Sequence, residues 1–334
     1  MGRLTILSTL LGTSLATGTR RLKRGPLRPG WSFKYEATVA FMKATNERVV
    51  HLPAPEQRAE MELLSMPSRA LKRVQREPVA AGGVPAEWFI PREGASDDVV
   101  LYLHGGSYVF GSTRTHGDLI ARLALGTGAK VLGLNYRLAP EHPFPAPVED
   151  TVAAYRWLLS TGVKPERVVF AGDSAGGGLA LAALVALRNE RTPLPAGAAV
   201  IAPWVDLECG GESVEVNAAY DWGDKAMLLH WAKWYLGSAS AREPLASPWY
   251  ADLTGLPPLF VHVGSAELQR DDGARIVEKA RAEGVQAHLE EWPEMVHNFQ
   301  TFGEGFPEAV RGTTKLCEHL RGLLGRTGLP TAAA

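Results

Sequence analysis

The chain has 334 residues, 46% of them hydrophobic and 21% charged, enough apolar material for one large domain or two ordinary ones. Lysine and arginine number 35 against 36 aspartates and glutamates, so a net charge of −1 leaves no excess positive charge for a nucleic-acid backbone. Disordered, coiled-coil and collagen-like classes are excluded by the same figures. The two cysteines, Cys209 and Cys317, sit in no CxxC or metal-ligand spacing, and the expectation is two inert core thiols in a cytoplasmic, reducing setting.

The stretch Leu4 to Leu15 is apolar but broken by Thr5, Ser8, Thr9, Gly12, Thr13 and Ser14, and falls short of the roughly 20 residues a bilayer span requires. Its basic cluster (Arg20, Arg21, Lys23, Arg24, Arg28) follows the apolar run, whereas a signal peptide carries positive charge before it. The pattern predicts an amphipathic helix docked on the body, with a secretion signal or a membrane-surface helix as alternatives, and no membrane contact is expected. Up to about Arg76 the chain reads as helices separated by joints at Pro53, Pro55 and Pro67. From Val74 the pattern changes to a hairpin, with Gly82-Gly83 between two strand-like runs.

Strands and helices then alternate. Strands are expected at 99–103, 130–135, 167–171 and 197–202, with helices at 148–160 and 175–188. The alternation resumes with a strand at 259–263, a helix at 271–283, a strand at 285–290 and a closing helix at about 307–324. Such order predicts an α/β fold with a parallel sheet covered on both faces and ligands at the carboxyl ends of its strands. The interruption at about 204–250 is aromatic-rich, carrying Trp204, Tyr220, Trp222, Trp231, Trp234 and Tyr235 among others. It reads as a cap over the site, aided by the N-terminal segment 1–75, on a single catalytic domain at 76–325.

Ser174 lies in Gly172-Asp173-Ser174-Ala175-Gly176, after an apolar strand and before a helix, the setting of a nucleophile elbow. A serine hydroxyl needs a base to take its proton and an acid to orient the base, and in this architecture they follow in the order serine, acid, histidine. His297 lies past the last strand, on the loop before the closing helix, and is the candidate base. Glu267 is the candidate acid because it stands nearest the end of the strand at 259–263. Asp271 and Asp272, in the first turn of the next helix, are explained by helix-end electrostatics. His104-Gly105-Gly106-Ser107-Tyr108 follows the first core strand, and bare glycine N–H groups can stabilise the oxyanion of acyl transfer. Gly105, Gly106 and Ala175 are the expected oxyanion donors. No HExxH, GxxxxGK[ST] or strand-flanked GxGxxG occurs.

The blocks HGGSY, YRLAPEHPFPAPVED and GDSAGG, in this order, resemble the hormone-sensitive-lipase family of carboxylesterases, also called bacterial family IV, from about Asp97 to His297. The resemblance implies an α/β-hydrolase fold with a helical cap and hydrolysis of short to medium acyl esters, with no metal or organic cofactor. The family's nucleophile, oxyanion and base motifs fall on Ser174, the Gly105-Gly106 pair and His297. Two departures stand out: Glu267 occupies the acid position usually held by aspartate, and Ser107 replaces the third glycine many members carry. The expected partner is a small-molecule ester, and a homodimer is what the family suggests. Amidase or lactonase activity through the same residues, and a non-catalytic ligand receptor on the same fold, are the alternatives.

Overall fold

In the computed structural model, which describes residues 3–65 and 68–325, Gly82 and Gly83 both take positive φ and turn the chain in two residues. That turn joins β1 (Val74–Ala81) to β2 (Val84–Pro91), with Ala81 opposite Val84. Six further strands follow: β3 (Val99–Leu103), β4 (Lys130–Leu134), β5 (Val168–Asp173), β6 (Gly197–Ile201), β7 (Leu259–Gly264) and β8 (Ala287–Trp292). They form one sheet in the order β1-β2-β4-β3-β5-β6-β7-β8, in which β2 runs antiparallel to both neighbours and every other pairing is parallel.

The core strands are apolar on both sides because both sides are covered. Val99, Leu101 and Leu103 face one layer while Val100 and Tyr102 face the other, and all five are buried. The first layer is built on α6 (Ala146–Ser160), α7 (Ala175–Asn189) and α10 (Arg270–Ala282), the second on α5 (Gly117–Thr127) and α11 (Pro307–Leu323). Cys209 and Cys317 are free and buried, one against each layer, and burial pushes both thiols up to about 12.

Four helices precede the sheet: α1 (Arg3–Arg24), α2 (Phe33–Val49), α3 (Ala54–Glu62) and α4 (Arg69–Lys72). Pro67, one of the expected joints, lies outside the described residues, as do residues 1–2 and 326–334. Arg20 and Arg21 of α1 pair with the buried Glu36 of α2. Within the 204–250 stretch the chain forms α8 (Ser213–Val216) and α9 (Lys225–Leu236), the latter capped by Asp224, which accepts from the Met227 N–H at 2.8 Å. The N-terminal helices meet this stretch through direct hydrogen bonds. Lys43 donates to Ala218 O at 2.8 Å, Asn46 Nδ2 to Trp222 O at 3.0 Å, and Trp231 Nε1 to Gln57 Oε1 at 3.0 Å. Among the described residues no helix is long and apolar enough to cross a membrane.

Candidate active site

Ser174 stands between β5 and α7 with φ 53° and ψ −122°, a conformation that side chains other than glycine rarely adopt. The flanking glycines make this turn sterically possible. A Cβ on Gly172 would lie 2.4 Å from Gly176 O, and a Cβ on Gly176 would lie 2.0 Å from Leu103 O, both inside van der Waals contact. Ser174 sits at the wall of a cavity of about 380 Å³ that also admits His297 and is lined mainly by apolar side chains such as Phe41, Met61, Phe110 and Trp231. These come from the N-terminal helices, the HGGSY loop and α9, so the cavity is closed from several directions.

Glu267 and His297 follow the ends of β7 and β8, and both are buried. His297 Nδ1 lies 4.0 Å from Glu267 Oε2, beyond hydrogen-bond length, and neither Nδ1 nor Glu267 Oε1 has a hydrogen-bond partner among the described residues. Burial holds the imidazole down at about 4, Asp173 opposing the shift, while burial followed by the nearby Asp221 charge pushes the Glu267 carboxyl well above the ordinary range. Burial therefore disfavours charge on both groups at this separation. Asp271 and Asp272 are engaged elsewhere. The first accepts from Ser213 N–H at 2.9 Å and pairs with Arg270, and the second accepts from Val205 and Asp206 N–H groups at 2.9 and 3.0 Å.

Residues 100–301 match the α/β-hydrolase fold family. The chain is 49% identical over 234 residues to an acetyl-hydrolase of Streptomyces hygroscopicus, covering 70% of this chain and 78% of the relative. It is 32% identical to an esterase of Acinetobacter venetianus over 86% of this chain and 96% of the relative. Among solved structures, an esterase from the bacterial hormone-sensitive lipase family superposes with a TM-score of 0.80 at 47% identity, over 85% of this chain and 97% of that one. The chain belongs to the hormone-sensitive-lipase family. As a member it is a carboxylic ester hydrolase with the α/β-hydrolase fold. EstE5, a further structure, was soaked with p-nitrophenyl butyrate and superposes with a TM-score of 0.80 at 36% identity, covering 95% of this chain and 99% of that one.

In the HGGSY loop the N–H of Gly105, one of the expected oxyanion donors, donates to Asp173 Oδ1 at 3.0 Å. The N–H groups of Gly106, Ser107 and Ala175 donate to no acceptor among the described residues. Gly106 has φ 117°, and a Cβ there would meet Phe110 O at 2.1 Å, so only glycine fits. Ser107 also holds positive φ, at 53°, yet keeps its side chain.

The segment YRLAPEHPFPAPVED, whose role was opaque in the sequence, braces this loop. Tyr136 stacks on His104 with ring centroids 4.3 Å apart and donates its hydroxyl to His104 O at 2.7 Å. Asp173 is a second brace that the motif alone does not reveal. Besides the Gly105 N–H it accepts from Tyr102 and from Asn298 Nδ2 at 2.7 Å, and it lies 3.3 Å from His116. Burial alone would raise its carboxyl, but His116 and these donors hold it below the ordinary range.

Asp221 and its neighbours, inside the 204–250 stretch, carry no motif but hold the loops bearing Glu267 and His297. The Asp221 carboxylate accepts from Leu268 N–H at 2.8 Å, Trp222 N–H at 2.9 Å and His297 N–H at 3.3 Å. Trp222 Nε1 donates to His297 O at 2.9 Å, and Asn217 Nδ2 to Glu267 O at 2.9 Å. The loops bearing Glu267 and His297 are thus tied to one polar cluster. His288 is exposed because β8 is the sheet edge, while His262 is buried and contacts His319 at 2.9 Å.

Proposed function

We propose that the enzyme hydrolyses short to medium acyl carboxylic esters through an acyl-enzyme on Ser174, with His297 as base and Glu267 orienting it. The observation that supports this reading most is the shared cavity: Ser174 and His297 line it together, and Glu267 lies 4.0 Å from the ring with its Oε1 free of hydrogen-bond partners among the described residues. Ser174 Oγ attacks the ester carbonyl while its proton passes to His297. The imidazolium so formed is stabilised by the ionised Glu267 carboxylate, which it draws across the 4.0 Å gap, because opposite charges favour one another in a buried site. Gly106, Ser107 and Ala175 N–H groups receive the developing oxyanion. His297 then returns its proton to the alkoxide leaving group. Water, deprotonated by the same ring, attacks the acyl-enzyme and frees Ser174 and the acid.

On this reading the N-terminal helices and the 204–250 stretch act together as the cap, their side chains shaping the apolar acyl site. A p-nitrophenyl ester series from acetate to palmitate, run beside p-nitroacetanilide and a lactone, tests the substrate class. The expected result is a kcat/KM maximum among the short to medium esters, with palmitate at least about tenfold lower and the anilide slower still. Faster turnover of the anilide or lactone than of every ester would instead assign an amidase or lactonase.

A further inference from the structure

Along α1, Leu4, Leu7, Leu11, Leu15 and Leu22 are 82%, 53%, 70%, 74% and 91% exposed. At 3.6 residues per turn these positions fall within an arc of about 80°. Roughly 100–140° around the helix from the stripe, Thr17 is buried and Ile6 and the 42% exposed Leu10 reach the active-site cavity. One helix therefore has an inner face spent on the site and an outer apolar stripe that none of the described residues covers.

The charge around the stripe identifies its occupant. No carboxylate precedes Glu36, although the chain as a whole is balanced. Arg20 and Arg21 are paired with Glu36, whereas Lys23 and Arg24, at the helix end just after Leu22, are exposed and have no carboxylate partner among the described residues. A second copy of so acid-free a helix would bring like charges together, while anionic headgroups would neutralise them. The helix is also too interrupted to span a bilayer, which leaves it lying in the plane of the interface.

We propose that α1 is an interfacial docking helix that seats the enzyme on an anionic phospholipid surface. Its leucine stripe enters the boundary between headgroups and acyl chains, and Lys23 and Arg24 lie against the headgroups. Because the inner face of the same helix lines the cavity, docking brings the cavity wall within about 10 Å of the lipid, one helix diameter. Lipid docking goes beyond the ester-hydrolase reading and stands independently of it.

The test is flotation of the full-length protein with vesicles of phosphatidylcholine, with and without phosphatidylglycerol. Wild type is expected to float with the anionic vesicles and to bind the neutral ones about tenfold more weakly. L7Q/L11Q/L15Q and, separately, K23E/R24E should each lose about tenfold in binding while hydrolysing soluble p-nitrophenyl butyrate as wild type does. That soluble activity separates a failure of docking from a failure of the catalytic reading, and the charge variant keeps the test valid should the leucine variant misfold. Absence of flotation, or flotation untouched by the substitutions, overturns the proposal. So does a wild-type dimer that L7Q/L11Q/L15Q converts to monomer, which would assign the stripe to a second copy.

Discussion

Ser174→Ala is expected to lower kcat for p-nitrophenyl butyrate by at least about 10⁴-fold, because the covalent route disappears and only binding and oxyanion stabilisation remain. The fold should not change. Alanine keeps the Cβ, so the strain at φ 53° is the same in both proteins, and the Ser174 hydroxyl makes no hydrogen bond to the described residues whose loss would be felt. Thermal unfolding of the variant should therefore superpose closely on wild type. A variant that kept a tenth or more of wild-type kcat would show that another nucleophile, or directly activated water, does the chemistry.

Comparing Glu267→Gln with Asp271→Asn separates the two carboxylates of the acid loop. Glutamine keeps the size of the side chain but cannot stabilise an imidazolium, and kcat is expected to fall by about 10²–10⁴-fold. Asp271→Asn should leave kcat within about threefold, since that carboxylate is committed to Ser213 and Arg270 and its loss costs stability of the order of 1 kcal/mol. The pH profile adds a second readout. A base works when deprotonated, so activity falls on acidification, and in wild type that limb belongs jointly to His297, held down at about 4, and Glu267, pushed up. Removing the group with the raised value leaves only the one with the lowered value. The acid limb of the residual Glu267→Gln activity should therefore move to lower pH, toward about 4. A large kcat loss confined to Asp271→Asn would contradict the choice of acid.

Local patterns made much of this site legible. The elbow around Ser174 is a short motif whose flanking glycines are demanded by backbone contacts at 2.0 and 2.4 Å, and the strand-helix alternation follows from a sheet buried on both faces. Other features depend on contacts far apart in the chain. Asp221 reaches Leu268 and His297 across intervening strands, so nothing in its neighbourhood announces its role. Gly105 belongs to the glycine turn its motif announces, but the partner of its N–H, Asp173, lies 68 positions away and cannot be read locally. The helix at Gly117–Thr127 was not anticipated, its pattern being bounded by glycines that mimic a loop. The final strand begins two residues later than the expected 285, at Ala287. Val285 instead closes the preceding helix, donating to Ala280 O at 2.8 Å after Gly284 at positive φ.

The central claim is that Ser174 carries the acyl group. Treatment with phenylmethanesulfonyl fluoride, followed by intact-mass and peptide mass spectrometry, tests it most directly. The account predicts one sulfonyl adduct per chain, on Ser174, forming in step with the loss of esterase activity and absent from Ser174→Ala. Complete inactivation with Ser174 unmodified, or an equal adduct on the alanine variant, would contradict it.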